Sequence, residues 1–268
     1  MTRSGLHVRL APAAAWLGEA GRRILDLVVP RSCTACDRAI GDGADPLCEA
    51  CARELAGLVG RPWCSTCGDD HGPHLLIDGR CTACRLRRNE RAFDRFVRVG
   101  PYQGVLRALI LRFKHRFVLD RFLGRLLAAA VSGRFDPREI DCWVPVPAHW
   151  RRRLAVGYQP TALLARAAAA ECGGRWVSAL RMTRYLRPFH QSGPLSAARK
   201  RELLRGAFQL TRASEVRGRT VCVVDDVTTT GATLLEARRA LHAGEAAHVF
   251  AAVLARTGSG EDGNPAAL

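Results

Sequence analysis

Eight of the chain's eleven cysteines fall in four Cys-x-x-Cys pairs: Cys33/Cys36, Cys48/Cys51, Cys64/Cys67 and Cys81/Cys84. A gap of two residues lets one tight turn aim both sulfurs at a single ion, and two such turns complete a tetrahedral site. Eight thiolates therefore make two sites of four. Each is closed by protein ligands, so the metal is structural and has no open position for catalysis. Sequential pairing is the simplest arrangement, and an interleaved cross-brace is the alternative. A disulfide framework needs an oxidising compartment, and Cys-x-x-Cys bridges close loops too short to stabilise much. Iron–sulfur ligation fits the ligand type, but tandem, evenly spaced pairs favour Zn2+. His71 and His74 lie inside the second loop as competitors for the metal, although solvated loop histidines are the plainer reading. Cys142, Cys172 and Cys222 stand apart in apolar surroundings and read as small buried hydrophobes.

The other chemical constellation is Val221-Cys222-Val223-Val224-Asp225-Asp226-Val227-Thr228-Thr229-Thr230-Gly231-Ala232-Thr233. A buried strand delivers two carboxylates at its C-terminal end, where ligands bind in open α/β sheets. A Thr/Gly loop then leads into a helix, whose first N–H groups and nearby hydroxyls suit a phosphate. Carboxylates ahead of such a cradle fit a phosphorylated sugar, with Asp225 and Asp226 on ribose hydroxyls and Thr228, Thr229, Thr230, Gly231, Ala232 and Thr233 around the phosphate. A Walker-type reading lacks its Gly-x-x-x-x-Gly-Lys-Ser/Thr partner anywhere in the chain.

These residues need elements to hold them. Residues 31–84 are cysteine-paced with little apolar periodicity, too small a stretch to build a core, so metal binding and folding there are one event. Arg85, Arg87, Arg88 and Arg91 form a basic linker. Beyond it, strands are expected at Phe93–Val99, Ile140–Val146, Thr220–Val224 and His248–Leu254. Helices are expected at Leu106–Phe113, Arg121–Val131, Thr161–Ala170, Ala197–Gly206 and Ala232–Ala243. Strands alternating with helices predict an α/β domain with a parallel sheet. Trp16, Ala20, Ile24 and Val28 recur every four residues, which predicts an N-terminal amphipathic helix within 1–30 rather than a secretory leader. The partition expected is 1–30 helix, 31–90 double zinc-ribbon module, 91–257 α/β domain and 258–268 frayed tail.

The formal charge is +16, and eight thiolates with two divalent ions lower it only to about +12. Such a chain attracts polyanions, whether nucleic acid, anionic lipid or phosphorylated small molecules. No segment approaches the ~20 apolar residues of a membrane-spanning helix, and the cytoplasm is the expected compartment. Between Arg151 and Arg201 there are eleven Lys/Arg and one acid, Glu171. Trp150, Tyr158, Tyr185 and Phe189 lie among them; each would contribute roughly 1–3 kcal/mol if it stacked a base, but taken singly each reads better as core.

The acidic pair and threonine loop closely resemble the signature with which type I phosphoribosyltransferases bind phosphoribosyl pyrophosphate (PRPP). The resemblance implies that Pro147-Ala148-His149-Trp150-Arg151-Arg152-Arg153 faces pyrophosphate, with Arg151 taking part, and that Lys114 fills a basic position the family commonly carries. Asp225, Asp226, Arg151 and Lys114 are then the catalytic set, with Mg2+ accompanying PRPP. Zinc ribbons ahead of such a domain, Val144-Pro145-Val146-Pro147, Gln191-Ser192-Gly193 and Ala207-Phe208 further resemble the competence protein F (ComF) family, over roughly residues 24–256. That resemblance implies a part in natural transformation, with single-stranded nucleic acid and proteins of the DNA-uptake machinery as partners. An active Mg2+-dependent phosphoribosyltransferase with an unknown acceptor is the alternative. The chain departs from the family at Val156-Gly157-Tyr158-Gln159-Pro160, where Arg-Gly-Phe/Tyr-Asn-Gln is usual, and at Leu203, where Asn is common.

Overall fold

The computed structural model describes residues 32–41, 46–86, 93–114, 119–148, 157–184 and 196–258. The expected helix within 1–30, the linker residues Arg87, Arg88 and Arg91, and the tail from 259 lie outside them. So do Trp150, Arg151–Arg153, Tyr185, Phe189 and the segment Gln191-Ser192-Gly193. The chain divides into two compact units, 1–53 and 54–268.

In the first unit two knuckles bring Cys33, Cys36, Cys48 and Cys51 together. An isolated bridge between Ser32 and Ala39 closes the first knuckle. Helix α1 (Glu49–Val59) begins just after Cys48 and carries Cys51 in its first turn. It was not expected from the sequence, although Cys51, Leu55 and Leu58 have helical spacing and are all buried.

The second unit opens with the other knuckle pair. Strands β1 (Leu76–Ile77) and β2 (Arg80–Cys81) form a short antiparallel hairpin, and α2 (Thr82–Leu86) follows. Asp78 and Gly79 take positive φ at the tip, the turn that lets two short strands reverse.

A five-stranded parallel sheet forms the body of this unit. Its strands are β3 (Arg95–Pro101), β4 (Cys142–Pro145), β5 (Arg175–Trp176), β8 (Thr220–Thr228) and β9 (His248–Arg256), in the order β3-β9-β8-β4-β5. A separate antiparallel pair, β6 (Leu180–Met182) and β7 (Phe208–Leu210), stands beside it. The helices are α3 (Gly104–Phe113), α4 (Asp120–Ser132), α5 (Pro160–Cys172), α6 (Ala197–Leu204) and α7 (Ala232–Ala243). A sheet covered on both faces needs apolar residues on both, which explains the unbroken Val-Cys-Val-Val of β8. Val221 and Val223 join Val144, Val249, Val253, Leu234 and Leu241 in one buried cluster under α7. The alternate residues Trp143, Cys222 and Val224, also buried, serve the face that α5 covers. Gly124 lets α4 approach α5 closely, since a Cβ there would stand 2.2 Å from that of Ala167.

The helices and main strands arise where apolar periodicity placed them, with most ends shifted by a few residues and two differences of note. Strand β8 runs on to Thr228 because Asp225, Val227 and Thr228 pair with Val253, Ala255 and Arg256 of β9. Helix α6 is capped by Ser196, whose hydroxyl accepts from Arg199 N–H, and stops at Leu204 rather than Gly206. Arg184 donates to the carbonyls of Leu203 and Arg205 there, satisfying groups the helix end leaves open. Cys142 and Cys222 are buried as expected, and Cys172 is half-buried. Among the described residues no helix is long and apolar enough to cross a membrane.

Candidate metal centres and phosphate site

The cysteines gather sequentially: Cys33, Cys36, Cys48 and Cys51 in one cluster, and Cys64, Cys67, Cys81 and Cys84 in the other. Within each, the four sulfurs lie within 4.8 Å of one another. The Sγ atoms of Cys36 and Cys48 stand 3.7 Å apart, those of Cys67 and Cys81 4.0 Å. A tetrahedron with Zn–S bonds of about 2.3 Å has edges of about 3.8 Å, so the spacing fits Zn2+. The electrostatics agree. Burial opposes the Cys33 thiolate, but backbone N–H groups of Cys48, Ala35 and Cys36 outweigh it and bring the thiol to about 6. Cys64 behaves alike: burial is overcome by the N–H groups of Cys67, Cys81 and Thr66, giving about 7. Burial and then the neighbouring thiols push Cys51 up, and burial, the Cys81 thiol and the Cys64 charge push Cys84 up to about 12. Each cluster thus holds one cysteine that favours the thiolate and at least one that burial keeps protonated, so a cation is needed to ionise the set fully. His71 and His74 belong to neither cluster.

The second cluster is tied to the sheet by charge. Asp69 and Asp70 follow Cys67 and Gly68. Asp70 pairs with Arg98 of β3, whose guanidinium also lies 5.6 Å from the Trp63 ring. Asp69 Oδ1 accepts from Arg256 Nε at 2.6 Å, and both side chains are nearly buried. Arg256 ends β9, and its Nη1 donates to the carbonyl of Thr229 at 2.5 Å. A carboxylate beside a metal knuckle therefore holds the arginine that holds the threonine loop. Nothing local in the sequence marks this link.

That loop lies where the sheet order reverses. From β4 the chain continues to β5 on one side, and from β8 to β9 on the other, so the C-terminal ends of β4 and β8 flank a topological switch point, the usual ligand crevice of open α/β sheets. Val146 N–H donates to the Val224 carbonyl at 2.8 Å, joining the two ends. Asp225 is buried, and its Oδ1 accepts from Asp226 N–H at 2.9 Å. Burial, and then the charge of Asp226, hold its carboxyl well above the ordinary range. Asp226 Oδ1 accepts from Val227 N–H at 2.7 Å, and its Oδ2 stands 3.1 Å from Lys114 Nζ. The structure thus brings Lys114, Asp225 and Asp226 together. Thr228 is buried in the strand, Thr229 is exposed, and Thr230, Gly231 and Thr233 are half-buried. Gly231 has φ 72° at the N-cap of α7, a left-handed turn that glycine takes without strain. It leaves the first N–H groups of α7 facing the loop, with Ala232 N–H 3.4 Å from Thr230 Oγ1.

Two residues at the family departure have structural work. The Tyr158 hydroxyl donates to the Phe113 carbonyl at 2.5 Å, next to Lys114. Gln159 Nε2 and the Thr161 hydroxyl both donate to the Val146 carbonyl, fixing the end of β4.

Residues 24–85 match the double zinc ribbon domain, and 181–264 the phosphoribosyl transferase domain. The chain is 30% identical over 219 residues to competence protein F of Haemophilus influenzae, covering 78% of this chain and 90% of that one. The chain belongs to the competence protein F family. Within this family it is also 31% identical to the DNA utilization protein YhgH of Escherichia coli K12, covering 86% and 99% of the two chains. The Salmonella typhi YhgH is 32% identical over 243 residues with the same coverage. Glutamine PRPP amidotransferase from B. subtilis overlies 56% of this chain and 28% of its own at 16% identity, with a TM-score of 0.34. The double zinc ribbon and the phosphoribosyltransferase-type sheet of this family member are thus the two parts described above.

Proposed function

We propose that the protein acts in DNA uptake by binding single-stranded nucleic acid, and that Asp225–Thr233 is a site for PRPP or a related phosphorylated ribose. The observation that carries the second half is the placement of Asp225, Asp226 and the Gly231 turn at the switch point, with Lys114 against the acidic pair. Asp225 and Asp226 receive the ribose hydroxyls, the loop N–H groups and threonines the 5′-phosphate, and Arg151 the pyrophosphate. Two adjacent carboxylates beside bound phosphates are a donor set for Mg2+, which when bound neutralises charge on the pyrophosphate. The names competence protein F and DNA utilization protein borne by relatives support the first half, as does the net charge of +16.

The enzyme reading uses the same site. A phosphoribosyl transfer needs no protein nucleophile, because oxocarbenium character develops at the anomeric carbon while cations stabilise the leaving pyrophosphate. It requires an acceptor pocket as well.

Fluorescence anisotropy of zinc-loaded protein with single-stranded DNA, across a salt series and with or without PRPP and Mg2+, tests the proposal. Log affinity should fall by about 0.7 per phosphate contacted for each decade of salt. Absence of binding at moderate salt would leave the positive charge serving phosphorylated small molecules and put the enzyme reading first.

A further inference from the structure

Helices α6 and α7 pack side by side and enclose a groove of about 720 Å³. Arg201 and Arg205 line one wall, Arg238, Arg239 and His242 the other, against two carboxylates, Glu202 and Glu236. Both carboxylates are engaged by arginine. Arg199 Nη1 lies 2.6 Å from Glu202 Oε2, and Arg239 grips Glu236 through Nε at 2.9 Å and Nη2 at 2.6 Å. Glu236 is buried and also accepts from Gly206 N–H at 2.7 Å, so it braces the floor. The groove as a whole stays positive, with four arginines against two glutamates.

We propose that this groove is the track for the phosphate backbone of a single-stranded nucleic acid. The inference rests on the nucleic-acid role proposed above and gives it a place. Guanidinium forks match phosphate oxygens in pairs, which makes arginine the side chain of choice for this ligand. Arg201 and Arg205 are one turn apart, joined by the Arg205 N–H to Arg201 carbonyl bond, and Arg238 and His242 are one turn apart on α7. Residues so placed stand about 5–6 Å from each other, a step close to that between neighbouring phosphates of an extended strand. A cleft between two packed helices admits one backbone but not the width of a duplex. The groove also reaches Ala232, the first residue of α7, beside the threonine loop. A strand lying in it therefore runs up to the ribose-phosphate site. Arg201 closes the basic stretch that begins at Arg151, so the track gathers the described end of that stretch with the arginines of α7.

The test is the same anisotropy titration with labelled oligo-dT and the zinc-loaded full chain. Arg201→Ala/Arg205→Ala, which changes two exposed side chains, is compared with Arg121→Ala/Arg138→Ala, an equal loss of charge from exposed positions outside the groove. The groove pair should flatten the salt slope by about 1.4 and weaken binding about tenfold or more at moderate salt, while the control pair leaves both near wild type. Arg238→Ala, on the facing wall, should repeat the effect at half the slope change, and thermal melts establish that each variant is folded. Equal effects from groove and control pairs would overturn the track while leaving nucleic-acid binding intact. Competition by poly-glutamate as strong as by oligo-dT would overturn the ligand class, and no salt-sensitive binding by wild type would sink both the track and the role it rests on.

Discussion

Asp225 and Asp226 are neighbours in sequence with different surroundings. Asp226 faces Lys114, whereas Asp225 is buried beneath it. Burial and the Asp226 charge raise the Asp225 pKa, with the Asp226 N–H and Lys114 pulling the other way. The folded protein therefore keeps a proton that the unfolded chain releases near pH ~4. That stabilisation is complete below the unfolded value and is lost as pH rises through the folded one. Asp225→Asn, neutral throughout, should gain thermal stability over wild type as pH is raised, with the two converging in acid. A variant that instead lost ground toward alkaline pH would contradict this electrostatic picture. At this scale the sequence was most informative about residues that act with close neighbours. Each knuckle and the acidic loop lie within a few positions, so spacing alone marked them. Arg256 and Asp69 are 187 residues apart and meet only through the fold.

Among the elements, the threonine loop is held from two sides, by β8–β9 pairing up to Thr228 and by Arg256 on the Thr229 carbonyl. Because Arg256 also bridges to Asp69, the second knuckle acts as a strut for the loop. Arg256→Ala takes the guanidinium away from the nearly buried Asp69 carboxylate, and breaking a buried pair costs about 3–5 kcal/mol. It should lower the melting temperature and weaken PRPP binding although Arg256 is absent from the proposed contacts. Arg256→Lys should rescue little, since one ammonium cannot reproduce the fork that spans Asp69 and Thr229. Full PRPP affinity in both variants, measured by calorimetry, would show the strut to be idle. The helices and sheet were largely legible because apolar periodicity is local. The extension of β8 was not, since two adjacent aspartates have low strand propensity and only pairing with β9 carries the ladder past them to Thr228. Helix α1 was hidden because Cys51, one of its buried apolar positions, reads first as a metal ligand. The two-residue strands β1, β2 and β5 are too short to show a period.

At the scale of the molecule, the chain joins the two four-cysteine clusters of a double zinc ribbon to a phosphoribosyl transferase-type domain. Zinc content should be two per chain by mass spectrometry, and Cys64→Ser/Cys67→Ser should reduce it to one. If the two sites shared ligands, that variant would lose both ions. Chelation should melt each cluster, because no core stands ready to replace the ions; an unchanged circular-dichroism melt after complete zinc removal would contradict this. The fold class could be read from the alternation of strands and helices, whereas the switch-point position of the site required the strand order, which no local pattern encodes. The measurement that bears most directly on the central claim is calorimetric titration of the zinc-loaded chain with PRPP and Mg2+, wild type against Asp225→Ala/Asp226→Ala. Hydrogen bonds to charged groups contribute about 1.5–3 kcal/mol each, so losing two should weaken binding about 100-fold or more with zinc content unchanged. PRPP binding of wild-type strength in the double variant would contradict the account.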